Sequence, residues 1–223
     1  MASVKKCVVI GNGPSLRGFD LSTLTVDTIG MNAAYRHWER IGWYPTHYAC
    51  LDDVVVRSHH EQIAKLIEEG LCESAILANQ FLQDHPKAIE DRRYFFTEMF
   101  SWPKDPLTTG SHAVRYAISR GYTDIALIGI DLRYTERIPE SRITDGILDI
   151  VDTPKRNPNY FFDDYQQKGD RYNVPNSNGN VHLKSFVALG KDLTGARVVN
   201  SNRESEIAQK EIFPFQPLDD FLD

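Results

Sequence analysis

The chain has 223 residues, 41% hydrophobic and 25% charged, with a formal net charge of -6. A chain of this length buries a sizeable core without staples, and its acidic balance, with no basic stripe, excludes a nucleic-acid partner gripped through its phosphates. Cys7, Cys50 and Cys72 share no metal-like spacing, which argues against a disulfide framework and for a reducing, cytoplasmic setting.

Taken in chain order, apolar runs alternate between strand and helix. Cys7–Ile10 is a short β-branched run that stops at Gly11, the pattern of a strand buried on both faces. The turn Gly11-Asn12-Gly13-Pro14-Ser15 follows and leads into a helix start near Ser15. Thr28–Met31 predicts a second strand, and Ala33–Arg40 a helix that Gly42 ends. Thr46–Leu51 predicts a third strand, closed by Asp52-Asp53. Val56–Glu69 has amphipathic helical spacing and stops at Gly70, with His59 and His60 expected on its solvated side. Ser74–Ala78 and Arg93–Phe96 predict two further strands, and Ser111–Arg120 a helix closed by Gly121. Asp124–Ile130 predicts a strand with Asp131 just past its end. This alternation specifies an α/β fold: a parallel sheet with helices on both faces.

Residues 133–180 break the pattern. They are rich in Asp, Asn, Pro, Arg and Tyr, and a loop of this length inside a compact domain is either functional or disordered. Six aromatics from Tyr134 to Tyr172 argue against disorder, so the segment is expected to be a lid or acceptor-binding insertion in one domain spanning residues 1–223. Val181–Leu193 predicts a last helix and Ala196–Asn200 a last strand. The tail mixes Phe213, Phe215, Leu218, Phe221 and Leu222 with acids and is expected to cap the domain or meet another subunit as a homo-oligomer contact. No apolar run reaches the roughly 18 residues of a membrane span, and no signal-peptide pattern precedes the first strand; peripheral membrane contact stays open.

Several polar residues fall at the carboxyl ends of predicted strands, where open α/β sheets bind ligands. Glycine lets the Gly11–Ser15 turn approach a ligand closely, and free amides at a helix start favour anions. Gly11, Asn12, Gly13, Pro14 and Ser15 are therefore expected to cradle a nucleotide phosphate, the plainer reading being a tight turn that binds nothing. Leu16 stands where the third glycine of a dinucleotide fingerprint would be. Asn32 can bond a ribose, a base or a phosphate, or cap the next helix. Asp52 and Asp53 can hold a metal or a sugar hydroxyl, or cap the helix that follows. Thr108, Thr109 and Gly110 can present hydroxyls and amides to an anion, or serve as an ordinary cap. His182, near the start of the last helix, can be a general base near neutral pH or a structural side chain. No His/Cys cluster has zinc spacing, so no metal ligand is assigned.

Together, Val8-Val-Ile-Gly-Asn-Gly-Pro-Ser-Leu16, Asn32 after a strand, Thr108-Thr-Gly110 with a helix ending Arg120-Gly-Tyr122, and Ile128-Gly-Ile-Asp131 resemble the small, single-domain bacterial sialyltransferases that use CMP-sialic acid. The opening turn is also similar to the domain shared by motility accessory factors and an archaeal hydroxymethylpterin diphosphokinase. The resemblance runs in order from residue 4 to about 131, and more loosely to Asn200. It implies a variant Rossmann fold of the GT-A type and a glycosyltransferase that moves a nine-carbon acidic sugar from a CMP-sugar donor to a glycan acceptor with inversion. It implies no tightly bound cofactor and leaves magnesium open. Asn12, Gly13, Pro14 and Ser15 would line the cytidine and phosphate, Asn32 would reach the phosphate or ribose, and Asp52 would approach the sugar. Thr108, Thr109 and Gly110 would hold the base or the donor sugar. Tyr134 and Asp131, after the Gly-Ile-Asp strand, would serve the chemistry, Tyr134 steadying the departing phosphate from one residue off the family's position. The family's base histidine would fall near Pro175 or Asn176, with His182 about two turns later, so either His182 serves from a shifted lid, or another group is the base, or the chain does different chemistry. The alternatives are an ATP- and magnesium-dependent diphosphokinase of pterin-like alcohols, with Asp52, Asp53 or Asp131 on the metal, and a non-catalytic nucleotide-binding module.

Overall fold

The computed structural model describes residues 4–97, 108–134, 137–174 and 180–223. Among them lie ten strands: β1 (Lys6–Ile10), β2 (Asp27–Met31), β3 (His47–Cys50), β4 (Ser74–Leu77), β5 (Tyr94–Phe96), β6 (Asp124–Ile128), β7 (Ser141–Thr144), β8 (Ile147–Ile150), β9 (Arg171–Asn173) and β10 (Arg197–Asn200). The helices are α1 (Tyr35–Ile41), α2 (Asp53–Glu68), α3 (Thr109–Ser119), α4 (Val181–Asp192), α5 (Glu206–Gln209) and α6 (Leu218–Leu222).

Seven strands pair in parallel in the order β10-β6-β1-β2-β3-β4-β5. These are the seven strands expected from the apolar runs. The chain steps from β1 outward to β5, then returns to place β6 on the other side of β1. The strand order therefore reverses beside β1, and at such a point the carboxyl ends of neighbouring strands leave a crevice. Successive side chains of a strand face opposite ways. Val8 and Ile10 accordingly pack with Trp38 of α1, Ile63 of α2 and the lid's aromatics, whereas Cys7 and Val9 pack with Val114 of α3 and Phe186 of α4. The Rossmann-like fold thus has two cores, one on each face of the sheet.

The 133–180 insertion is more regular than its sequence implies. β7, β8 and β9 form a second, antiparallel sheet, with Leu148 opposite Tyr172. The tail closes on the chain itself: Phe221 is buried, and Lys6 Nζ donates to the Leu222 carbonyl at 3.4 Å. The three cysteines are buried and free.

One expectation is overturned inside α2. The helix starts at Asp53, and its backbone breaks at His59, where φ is -125° and ψ is 15°. His59 is 1% exposed rather than solvated. Its Nδ1 lies 2.7 Å from the Tyr35 hydroxyl, and that bond across to α1 draws the ring inward.

A chain of polar groups, buried at His47 and Ser74 and reaching the half-exposed Asp27, crosses the amino ends of the strands, at the opposite end of the sheet from the crevice. Tyr122 donates to Asp27 at 2.7 Å, His47 Nε2 meets the Tyr122 hydroxyl at 2.9 Å, and Ser74 joins His47 Nδ1 at 2.9 Å to Tyr116 at 2.7 Å. Burial lowers the pKa of both His47 and His59 to about 4. Such a histidine is neutral when folded and takes up its proton only on unfolding, so stability is full above about pH 6.5, the ordinary histidine value, and falls as pH drops towards 4. With two such groups the slope approaches about 2.7 kcal/mol per pH unit. Urea unfolding at pH 7 and pH 5 will show a clearly lower midpoint at pH 5; equal midpoints would show that the two rings are not buried neutral.

Candidate functional site

A cavity of about 390 Å³ opens at the carboxyl ends of the central strands. Its floor is Gly11–Gly13 after β1, Asn32 after β2 and Asp52 after β3. Thr108–Gly110 at the head of α3 and Gly129–Tyr134 after β6 form one side. Tyr160, Tyr165, Tyr172 and Asn173 of the 133–180 segment, with His182 and Phe186 of α4, line the rest of it. The fold thus brings Gly11, Asn12, Gly13, Asn32, Asp52, Thr108, Thr109, Gly110, Asp131, Tyr134 and His182 to one cavity. Pro14 and Ser15 stand outside its lining.

The glycine turn works differently from the expected amide cradle. Gly11 N donates to the Ile128 carbonyl and Gly13 N to the Gly129 carbonyl, both at 2.8 Å, and Ser15 N donates to Asp131 Oδ2 at 2.9 Å. These amides stitch the turn to the exit of β6 and are not free for an anion. Asp131 is committed to the same task. Besides Ser15 N, its carboxylate accepts from the Ser15 hydroxyl and from Asn202 Nδ2 at 2.7 Å. These bonds let it brace the turn while it also lines the cavity.

What the turn presents is the Asn12 side chain. Its Nδ2 donates to the Met31 carbonyl at 3.3 Å and to the Tyr165 hydroxyl at 3.0 Å, which fixes the orientation of the amide. Its Oδ1 is buried with no partner among the described residues, and so is Asn32 Oδ1. Asn32 sits in the left-handed region, with φ of 53°, a conformation asparagine tolerates better than most residues, and its carbonyl accepts from Tyr48 at 3.0 Å. A buried acceptor without a donor costs about 1–3 kcal/mol, so two of them on one cavity mark where a ligand's N–H or O–H groups belong.

The remaining lining residues divide by task. Asp52 is the N-cap of α2: its Oδ1 accepts from Val54 N at 3.0 Å, Val55 N at 3.2 Å and Asn173 Nδ2 at 2.8 Å, the last bond tying the lid to the floor. Burial raises its pKa. Thr109 Oγ1 accepts from Leu51 N at 3.0 Å, and Thr108 shares a hydrogen bond with Ser111 at 2.9 Å, so both hydroxyls fasten the head of α3. Asn180 caps α4 and sets His182 in its first turn. His182 is half-buried, its ring 6.0 Å from that of Tyr134, and burial lowers its pKa, so it is neutral at neutral pH. Pro175 and Asn176, where the family resemblance puts the base, lie outside the described residues.

Sequence reasoning missed three tyrosines of the lining, Tyr160, Tyr165 and Tyr172. Tyr160 and Tyr165 stack 3.8 Å apart at 9°, with Tyr134 against Tyr160 at 6.2 Å. The Tyr165 hydroxyl accepts from Ala33 N at 3.3 Å as well as from Asn12. The density of aromatics in a polar segment was the available signal. Among the described residues no group of His, Cys, Asp or Glu is arranged to hold a metal ion, and no helix is long and apolar enough to cross a membrane.

Fold and site together define an α/β, Rossmann-like protein with a cavity of about 390 Å³ where its strand order reverses. It is similar to solved structures of sialyltransferases. The sialyltransferase CST-II in complex with trisaccharide acceptor and CMP aligns with a TM-score of 0.58 at 17% identity, over 96% of this chain and 86% of that one. CstII from Campylobacter jejuni with cytidine-5'-monophosphate aligns with a TM-score of 0.53 at 17% identity, over 97% and 87%. The same enzyme with the substrate analogue CMP-3FNeuAc gives 0.52 at 16%, over 96% and 86%. No family model matches the sequence, and no curated protein matches it significantly.

Proposed function

We propose that this chain is a glycosyltransferase that moves a sialic-acid-like, nonulosonic sugar from a CMP-sugar donor to a hydroxyl of a glycan or another acceptor. The observation that carries this reading is the pair of unpartnered carboxamide oxygens, Asn12 Oδ1 and Asn32 Oδ1, on one cavity at the head of the sheet. Ribose hydroxyls and an aminopyrimidine edge supply the donors these oxygens lack. Support also comes from the fold, which matches enzymes solved with CMP and with a CMP-sugar analogue over nearly all of both chains.

In this reading the transition state builds positive charge on the sugar and negative charge on the departing phosphate. The phenols of Tyr134, Tyr160 and Tyr165 donate to that phosphate, which is where fixed dipoles contribute most, while Asn12 Oδ1 accepts from the nucleoside. His182, neutral because it is half-buried, takes the proton of the acceptor hydroxyl. Thr108, Thr109 and Gly110 shape the wall against the base or donor sugar, and Asp52 faces the sugar with the oxygen that does not cap α2. The diphosphokinase reading is less well supported because it needs clustered carboxylates for magnesium, and Asp131 is engaged by Ser15 and Asn202 while one oxygen of Asp52 is taken by the α2 cap and Asn173.

A thermal-shift series tests the proposal. CMP at 100 times its Kd adds about 2.7 kcal/mol, or a rise in Tm of about 5–10 °C for a chain of this size. CMP and CDP will raise Tm, ATP and NAD will not, and Asn12→Ala will remove most of the rise. A shift with ATP and magnesium alone would overturn the assignment in favour of the kinase reading.

A further inference from the structure

Arg36 lies on α1, immediately after the short turn that carries Asn32 and Ala33 into the site. Its guanidinium leaves the central sheet's side and grips the lid. Nη1 donates to the Tyr165 carbonyl at 2.7 Å and to Asp170 Oδ2 at 2.5 Å, and Nη2 donates to Asp170 Oδ1 at 2.8 Å. The two side chains are 14% and 10% exposed. Asp170 also accepts from Gln167 N at 2.7 Å and from the Tyr172 hydroxyl at 3.0 Å. Residues 165–172 are therefore knotted around one buried carboxylate, and the two tyrosines that bound the knot, Tyr165 and Tyr172, both line the cavity. His59 Nε2 stands 3.8 Å from Asp170 Oδ1, too far to replace the fork.

We propose that Arg36 is a positioning residue: by holding the Tyr165 carbonyl and the Asp170 carboxylate together, it sets the Tyr165 hydroxyl against Asn12 and Ala33 and so shapes the nucleotide wall of the cavity. The inference rests on the transferase reading only for the identity of the nucleotide. The fork explains why arginine stands here. Lysine keeps the charge but offers a single ammonium, which cannot span a carboxylate and a carbonyl at fixed angles. The geometry also gives the effect a direction. Arg36 has no place in the cavity lining, so it acts through Tyr165 rather than on the ligand.

The test combines Arg36→Lys, Tyr165→Phe and the double variant with two readouts: hydrogen–deuterium exchange of residues 160–173 in the free protein, and CMP affinity by calorimetry. Arg36→Lys is expected to speed exchange of residues 165–172 at least tenfold while the strands of the central sheet exchange as before. It is expected to weaken CMP about tenfold. Because both substitutions act on one hydroxyl, the double variant will bind CMP within about twofold of Tyr165→Phe alone. Unchanged exchange in Arg36→Lys overturns the clamp. Faster exchange with wild-type CMP affinity, or losses that multiply in the double variant, shows a merely structural tie and overturns the positioning role. If the wild-type protein binds no CMP, the transferase reading fails on its own, and the same three variants are scored with the nucleotide that does raise Tm, or, where none does, by Tyr165 exchange alone.

Discussion

Alanine at Gly11 will destabilise the protein by about 3 kcal/mol or more, at the upper end of overpacking penalties. A Cβ at this position falls on the carbonyl oxygen of Gly129 and lies 2.6 Å from Ile130 Cδ1 and 2.7 Å from the Gly129 carbonyl carbon. Two of these atoms belong to backbone, which cannot swing aside as a side-chain tip can. Moving the strands apart breaks the bonds from Gly11 N to Ile128 O and from Gly13 N to Gly129 O, and these join β1 to β6 at the mouth of the site. Gly129 has little room to yield, since its φ is 64° and Leu16 Cγ sits 2.8 Å from where its own Cβ would be. Gly18→Ala is the comparison. Gly18 has φ of 82° with open space around it, so alanine there meets only the left-handed penalty of about 1–2 kcal/mol. Urea midpoints of the two variants measure the difference. Equal losses would mean that the turn yields freely and that its glycines are not held by packing.

The fold was legible wherever one segment's chemistry decided the outcome. Cys7–Ile10 and Asp124–Ile128 are runs that only a strand buried on both faces explains, and the glycines after them mark the carboxyl ends where the cavity opens. Asn32, Asp52 and His182 reached the site because each sits next to such an end or at a helix start. Pairings distant in sequence were not legible. The amides of the glycine turn read as free because nothing local shows that the Ile128 and Gly129 carbonyls take them. Asp131 read as catalytic because its partners, Ser15 and Asn202, come from far along the chain. Arg36 reads as an ordinary helix-surface cation until Asp170, 134 residues later, folds back over it. The lid sheet escaped notice for a different reason. β7 is largely exposed and β9 has three residues, so neither carries the alternation that marks a half-buried strand.

If the proposed transferase function holds with His182 as its base, replacing His182 by alanine will cut the rate of sugar transfer by about 10²–10⁴-fold, the range for loss of a positioned general base, while CMP affinity stays within about twofold. The expectation follows from where the ring sits. It stands in the first turn of α4, lines the cavity and lies 6.0 Å from the Tyr134 ring. Burial favours the uncharged imidazole, so its pKa lies below the ordinary 6.5. A base works only when unprotonated. In the wild-type enzyme kcat/KM will therefore rise with pH through an apparent pKa below 6.5 and level off by neutral pH, and in His182→Ala that acid limb will be gone. Tyr134→Phe separates the two neighbours: on the proposed roles it removes a phosphate donor but leaves the base, so it will lower kcat and keep the limb. An alanine variant that retains activity within tenfold, or one whose acid limb persists, would place the base elsewhere and leave His182 as a wall of the cavity.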